Sequence, residues 1–373
     1  CAMVSSGFSE LGLDNTDTSH RWEKFADAGN LSSGFTRLSG ESTGLFFENS
    51  LEATKSLLNQ VYLNGSGVAL GDVDGDGLCD IYLCGLDSSN HLYLNQGNWV
   101  FREAAKKYGV DCPESDSNGA CLVDLDGDGD LDLIVNSVHG ATRLYRNDGT
   151  GFSRATGQAF DSIVRGGTSI AVADVNGDNL LDIYISHYRD KTLMDMPNTH
   201  FKFKNVGRKK IISSVNDIPV KGSAFENRFR VNSRGGIEEN GLPDFLYINK
   251  GNFSFERCEI NGERFRNSIG NPLDGSLFEW GLAAMFRDIN RDGRPDLFVC
   301  NDFDSEDRLW LNIGNGIFRL APTYAMRKSS MFSMGIDFAD VNRDGLDDFF
   351  ILDMLNRNRE IRMNQMLPRV RYH

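Results

Sequence analysis

An aspartate-rich nonapeptide occurs five times in this chain, and nothing else in the sequence limits the fold so tightly. Asp72–Asp80 reads DVDGDGLCD and Asp124–Asp132 reads DLDGDGDLD. Asp174–Asp182 reads DVNGDNLLD, Asp288–Asp296 reads DINRDGRPD and Asp340–Asp348 reads DVNRDGLDD. The starts lie 52, 50, 114 and 52 residues apart. The period is therefore near 50, with one long insertion, and a fixed period of this length marks a repeat architecture.

Each nonapeptide has the same flanks. Apolar runs such as Val68-Ala69-Leu70 and Ile170-Ala171-Val172 enter it, and Ile81-Tyr82-Leu83, Leu133-Ile134-Val135 and Leu297-Phe298-Val299 leave it. Short runs rich in β-branched and aromatic residues predict buried strands. A second signature follows: Leu92-Tyr93-Leu94-Asn95-x-Gly97 to Phe101, and Leu144-Tyr145-Arg146-Asn147-x-Gly149 to Phe152. It recurs from Leu246 through Asn249 and Gly251 to Phe255, and from Leu309 through Asn312 and Gly314 to Phe318. Asn-x-Gly between apolar runs is hairpin chemistry. One repeat is thus strand, Asp loop, strand, connection, strand, turn, strand. Four strands in about 50 residues predict an all-β fold, a β-propeller of four-stranded blades. Five blades are evident.

The Asp loop points to a metal. Oxygens fall at positions 1, 3, 5 and 9, with a backbone carbonyl at 7. The expected ligands are Asp72, Asp74, Asp76, Leu78 and Asp80; Asp124, Asp126, Asp128, Asp130 and Asp132; and Asp174, Asn176, Asp178, Leu180 and Asp182. The last two loops offer Asp288, Asn290, Asp292, Arg294 and Asp296, and Asp340, Asn342, Asp344, Leu346 and Asp348. An all-oxygen set of irregular geometry suits Ca2+ rather than Mg2+. No His or Cys stands among the positions, which argues against zinc or copper. An EF-hand would have Glu at position 12 and flanking helices; here position 9 closes the loop between strands. An ordinary Asp/Gly turn explains one copy, but five copies would leave carboxylates crowded and unneutralised. Five Ca2+ ions would move the formal charge from −14 to −4. Affinities of about 10⁻⁴ to 10⁻³ M, as in extracellular modules, are expected.

These loops, the Leu-Tyr-x-Asn-x-Gly hairpins and the runs Trp280-Gly281-Leu282 and Ser333-Met334-Gly335-Ile336-Asp337 resemble FG-GAP/VCBS repeats. Such repeats build integrin α-chain propellers and bacterial surface proteins. The pattern is most similar to the cartilage-acidic-protein-like family, whose members are often associated with an ASPIC/UnbV domain. The resemblance covers roughly residues 35–366. It implies seven blades, export, calcium binding and a propeller without enzymatic activity. Only five Asp loops are visible, so either the ring is cut short or five blades close directly. Phe35–Leu45 matches Phe101–Val110, the last strand of a blade and its exit, which predicts a lone fourth strand there.

The remaining features set the organisation. Residues 1–34 read as a tail and 35–373 as the propeller, with a basic insertion at about 187–243. Residues 188–234 hold eleven Lys/Arg against four acids. They predict a strand at Phe201–Lys204 and a hairpin around Asn216-Asp217. This excursion suits an anionic glycan or acidic partner, or simply a solvated hairpin packed on a blade. Cys1 at the start is consistent with a lipid-anchored bacterial lipoprotein. Cys112 and Cys121 are near enough in sequence to pair. His91, His139 and His187 follow their Asp loops at similar offsets. The acidic balance disfavours nucleic acid, and no catalytic motif appears. The expected function is an extracellular or cell-surface module for binding a protein or glycan, for adhesion or for self-assembly. The alternative is a polysaccharide-binding or polysaccharide-cleaving domain.

Overall fold

The computed structural model describes residues 35–354 apart from 158, 161–165, 304, 327–329 and 331. Cys1, the predicted tail 1–34 and residues 355–373 lie outside the described residues. The chain divides into two units, Cys1–Ser39 and Gly40–His373. In the first, residues 35–39 form no strand, so the predicted fourth strand is absent there. Phe35 is fully exposed, whereas its counterpart Phe101 is buried. In the second unit the rest of that match holds. A helical turn at Gly40–Thr43 ends at Gly44, φ 78°, just as Ala105–Tyr108 ends at Gly109, φ 71°.

The second unit is a series of antiparallel sheets. The first contains β1 (Val68–Gly71), β2 (Asp80–Leu83), β3 (His91–Asn95) and β4 (Phe101–Glu103), in that order. The second contains β5 (Ser117–Val123), β6 (Asp132–Ser137), β7 (Arg143–Asn147) and β8 (Phe152–Ala155), again in order. The third begins with β9 (Gly167–Ala173) and β10 (Asp182–His187). An insertion then adds β11 (Phe201–Val206), β12 (Lys209–Val215) and β13 (Ile218–Pro219) as one small sheet, and β14 (Phe229–Val231) with β15 (Ile237–Glu239) as another. The third sheet resumes with β16 (Phe245–Asn249) and β17 (Phe255–Glu259).

The fourth sheet departs from the predicted count. It contains β18 (Phe265–Arg266), β19 (Gly281–Arg287), β20 (Asp296–Asn301), β21 (Arg308–Asn312) and β22 (Phe318–Leu320). The short β18 adds a fifth strand parallel to β22, pairing Phe265 with Phe318. Its driving force is burial, since Phe265 is fully enclosed against Phe318 and Trp310. The last sheet has two strands among the described residues, β23 (Ser333–Ala339) and β24 (Asp348–Asp353).

First strands of successive sheets lie side by side: β1 with β5, β5 with β9, β9 with β19 and β19 with β23. The result is a propeller-like row of blades. Among the described residues no sheet closes on itself. The outward faces at the two ends, Val68 and Leu70 on β1 and Phe350 and Leu352 on β24, are exposed.

Second strands explain the continuous apolar runs in the sequence. In β6, β10 and β20 every residue is buried, because each such strand is covered on both faces. Alternation then sends side chains to two different seams. In β10, Tyr184 joins the core shared with the fourth blade, while Ile183 and Ile185 join the core shared with the second. In β20, Leu297 and Val299 face one seam and Phe298 and Cys300 the other. The cores therefore sit between blades. Burying a Leu, Ile or Phe side chain contributes about 1.5–3 kcal/mol, and each seam contains several.

The insertion has its own core of Leu193, Ile212, Val215 and Phe229. Phe201–Lys204 is a strand as predicted, but β11 and β12 turn at Gly207-Arg208, and Asn216-Asp217 makes a second turn into β13. The predicted Cys112–Cys121 pairing does not form; all six described cysteines are free thiols. Cys112 packs in the seam of the first two blades beside the Tyr145 hydroxyl at 3.0 Å, and Cys121 packs against the next seam.

Candidate metal centre

Each Asp loop joins a first strand to a second, with position 9 as the first residue of the second strand. Backbone shape comes first. Positions 4 and 6 take positive φ in every loop, as in Gly75 and Gly77 at 72° and 86°. Glycine adopts this region freely, and Asn does so better than most residues. Asn179 takes position 6 at φ 67°, and Arg291 and Arg343 take position 4 at φ 62° and 63°.

The loop is then tied by its own carboxylates. Position 1 accepts N–H bonds from positions 4 to 6. Asp72 takes those of Gly75 at 2.9 Å, Asp76 at 3.1 Å and Gly77 at 2.8 Å. Asp174 repeats all three, Asp124 takes those of positions 4 and 6, and Asp288 and Asp340 take those of positions 5 and 6. Position 5 accepts the N–H of position 7: Asp76 from Leu78, Asp128 from Asp130, Asp178 from Leu180, Asp292 from Arg294 and Asp344 from Leu346.

Position 3 separates the loops into two kinds. In the first two it is aspartate, and Asp74 Oδ1 and Asp126 Oδ1 are buried without a hydrogen-bond partner. Carboxylate oxygens of Asp72, Asp74 and Asp80 lie within 4.8 Å of one another, as do those of Asp124, Asp126 and Asp128. Ca–O bonds of 2.3–2.6 Å place ligands on one ion up to about 5 Å apart, so the spacing fits a shared calcium ion. In the other three loops position 3 is asparagine, and among the described residues no three carboxylates gather so closely. Asn176 and Asn342 instead donate to the position-5 carboxylates Asp178 and Asp344 at 2.9 and 3.0 Å. Asn290 accepts the Asp292 N–H at 2.9 Å. Three loops also have an intrinsic cation, the fifth through Arg287 on Asp347. Arg146 reaches Asp126 at 2.7 Å and Asp128 at 3.2 Å, and Arg294 pairs with Asp292.

Position 9 does more than close the loop. Asp80, Asp132, Asp182 and Asp296 are fully buried. One oxygen of each accepts the N–H of position 2: Val73 at 2.9 Å, Leu125 at 2.8 Å, Val175 at 3.0 Å and Ile289 at 3.1 Å. The other accepts the N–H of the hairpin asparagine: Asn95 at 2.7 Å, Asn147 at 2.9 Å, Asn249 at 2.8 Å and Asn312 at 2.8 Å. Burial raises the carboxyls of Asp80 and Asp296, and pushes Asp132 to about 7 and Asp182 to about 6. A cation held nearby favours the ionised form. Asp348 is only partly buried and takes the Val341 N–H at 3.2 Å.

The hairpin asparagines are the residues that sequence reasoning undervalued. Their side-chain oxygens cap the turn, accepting the N–H of Gly97, Gly149, Gly251 and Gly314. Their amides bond to carbonyls in their own Asp loops, Cys79, Leu131, Leu181 and Pro295. Three of them also reach the preceding blade. Asn147 donates to the Val73 carbonyl, Asn249 to Leu125 and Asn312 to Val175, each at 2.8 Å. Position 2 of one Asp loop is thereby fastened to the next blade. The recurrence of Leu-Tyr-x-Asn-x-Gly was the available signal, but a turn alone accounts for it locally.

The three histidines do not converge. His91 packs against Phe47 and Tyr93, His139 against Tyr62 and His187 against Phe245. Burial pushes His187 down to about 3. A small cleft between the third and fourth blades is lined by Tyr184, Asp244, Glu279, Arg308 and Trp310 among others. Glu279 is ion-paired with Arg308. Asp244 is buried and pushed to about 7, chiefly by desolvation. It accepts the Tyr184 hydroxyl and the His187 N–H, both at 2.7 Å. Asn90 occupies the same place in the first blade, accepting the Gly85 N–H at 2.9 Å and donating to the Tyr82 hydroxyl at 2.8 Å. Asp244 is thus a strand-entry brace before it is anything else.

Residues 72–135, 124–185 and 288–351 match the FG-GAP-like repeat. The chain thus carries FG-GAP-like repeats. The three matches span all five Asp loops. The repeat chain is also similar to cartilage acidic protein 1 of Mus musculus, 34% identical over 84 residues, which are 22% of this chain and 13% of that protein. The Homo sapiens protein is 33% identical over the same length and shares. The matched part thus spans about an eighth of these relatives. Among solved structures, the V. cholerae biofilm matrix protein Bap1 overlaps 76% of this chain and 34% of its own, at 14% identity and a TM-score of 0.35. So slight an overlap leaves the architecture resting on the sheets described above.

Proposed function

We propose that this FG-GAP chain is a calcium-stabilised extracellular or cell-surface binding module rather than an enzyme. The observation that supports it is the pair of orphaned, buried carboxylate oxygens, Asp74 Oδ1 and Asp126 Oδ1, inside gathered acidic loops. A buried acceptor without a donor is costly, and a cation removes the cost. In this reading Asp72, Asp74, Asp76, Asp80 and the Leu78 carbonyl hold one ion, and Asp124, Asp126, Asp128, Asp132 and the Asp130 carbonyl a second. The three Asn-containing loops hold theirs more weakly. The ion is structural: it neutralises the loop and fixes the hairpin between first and second strands. The blades then present rims and an inserted subdomain to a protein or glycan partner.

Thermal unfolding with calcium and with EGTA tests this. At calcium ten times the dissociation constant, each loop that binds only in the folded state adds about 1.4 kcal/mol. Two such loops raise the melting temperature by several degrees, and Asp74→Asn together with Asp126→Asn abolishes most of the rise. A melt indifferent to chelation refutes the reading. The cleft at Asp244 favours no cleavage reaction, because its carboxyl is engaged by Tyr184 and the His187 N–H and the second carboxylate by Arg308.

A further inference from the structure

The insertion leaves β10 at His187, the end of that strand opposite its Asp loop. Its β11–β12 ribbon has Lys202, Lys204, Arg208, Lys209 and Lys210 and no acid between residues 201 and 215. Register sets Lys204 opposite Ile211 and Val206 opposite Lys209. Opposed residues share a face, so cations and two apolar side chains alternate on one side. Val206 is 56% exposed and Ile211 is 37% exposed. The other side turns Phe201, Ile212 and Val215 into the insertion's core.

Pairing distinguishes the turn end of this ribbon from its base and from β14. Arg228 and Arg230 on β14 are matched by Glu239 and Glu238, and Lys202 by Asp217. Among the described residues Lys204, Arg208, Lys209 and Lys210 have no carboxylate partner; Lys210 lies over the Phe203 ring. A chain with 53 acids and 39 bases has acid to spare, yet leaves four cations together without any.

We propose that the outer face of this ribbon docks a linear anionic polysaccharide. Lysines are point charges on flexible stems, suited to carboxylate or sulfate groups spaced along a pliable chain. Val206 and Ile211 between them match the apolar faces of sugar rings. A single-stranded nucleic acid would call for stacking aromatics, which this outer face lacks. A long duplex would meet the repulsion of an acidic body. This inference does not rest on the calcium reading, since the ribbon is held by its own core.

The test is surface-based binding of the full chain, in calcium buffer at low salt, to heparin, with dextran as the neutral arm and duplex DNA and anionic phospholipid vesicles as competitors. Heparin binding is expected, weakening as salt rises, with none to dextran. Lys204→Glu with Lys209→Glu should lower the affinity about tenfold or more, the equivalent of about 1.4 kcal/mol, without changing the melting temperature. Lys204→Gln with Lys209→Gln should give a smaller loss in the same direction. Lys106→Glu with Lys107→Glu, on the Ala105–Tyr108 turn, should bind as the parent does. Binding unchanged in the ribbon variants, no binding to heparin, or displacement by DNA or vesicles in preference to free heparin overturns the proposal.

Discussion

Removing one hairpin amide measures how firmly the blades are joined. In Asn147→Ala the backbone N–H still serves Asp132, but three side-chain bonds vanish: to Val73 O, to Leu131 O and from Gly149 N–H. Asn147 is 1% exposed and its bond to Val73 is buried, so the Val73 carbonyl it served stays dry. A neutral hydrogen bond contributes about 1 kcal/mol net, and a buried group left unpaired costs about 1–3 kcal/mol. The expected loss is about 3–4 kcal/mol. Asn95→Ala is the internal control. That side chain bonds Cys79 O and Gly97 N–H near the surface and, among the described residues, reaches no other blade, so the loss is about 1 kcal/mol. At about 2–4 °C per kcal/mol for a chain of this order, the melting temperature should fall by about 6–16 °C in the first variant and about 2–4 °C in the second. Differential scanning calorimetry in saturating calcium reads both. Equal shifts would show that these asparagines only make turns and that the bond between blades contributes nothing.

Other outcomes follow from the same geometry. Asp74→Asn should cut calcium affinity in isothermal titration more than Asp344→Asn does, because the fifth loop already satisfies its position-5 carboxylate from the Asn342 amide. Asp244→Asn should leave stability nearly unchanged near pH 4 and raise it progressively toward pH 8. The folded carboxyl titrates at about 7, above its unfolded value of about 3.9, so the folded state binds the extra proton and loses stability as pH rises through that window, by on the order of 4 kcal/mol in full. Glu279, itself paired with Arg308, is the charged neighbour facing it, and a pH-independent effect in urea titrations would refute the assignment. Gly67→Ala should destabilise, since a Cβ there would lie 2.7 Å from the Gly119 backbone of the next blade; a neutral effect on melting would contradict that approach of first strands.

The nonapeptides were readable because their chemistry is local. Position 1 ties positions 4 to 6 within a single turn, and the strands on each side alternate between two buried seams, so the apolar runs had to be continuous. What stayed hidden depends on residues far apart in sequence. The Asn147 bond to Val73 spans 74 residues and the Asn312 bond to Val175 spans 137; no window of sequence contains both ends. The two-residue β18 carries no period at all and exists because Phe265 has Phe318 and Trp310 to pack on. The predicted strand at Phe35–Leu38 failed for the converse reason: composition alone cannot supply the neighbouring strand it needs.

Position 2 of the first three Asp loops is where candidate ion site and blade seam meet. The Val73 N–H is held by Asp80, one of the three gathered carboxylates, and its carbonyl by Asn147 of the next blade. Leu125 and Val175 stand in the same relation to Asp132 and Asn249, and to Asp182 and Asn312. A carboxylate oriented by a cation orients the position-2 peptide, and that peptide presents its carbonyl to the neighbour. Loss of the ion therefore acts across the seam as well as within the hairpin. Hydrogen exchange in calcium should show it: in Asp74→Asn, which leaves the second loop intact, the amides of Asn147 and Gly149 in the second blade lose protection along with those of Val73 and Gly75 in the first. Protection lost only within the first loop would mean that the blades are joined by their apolar cores alone.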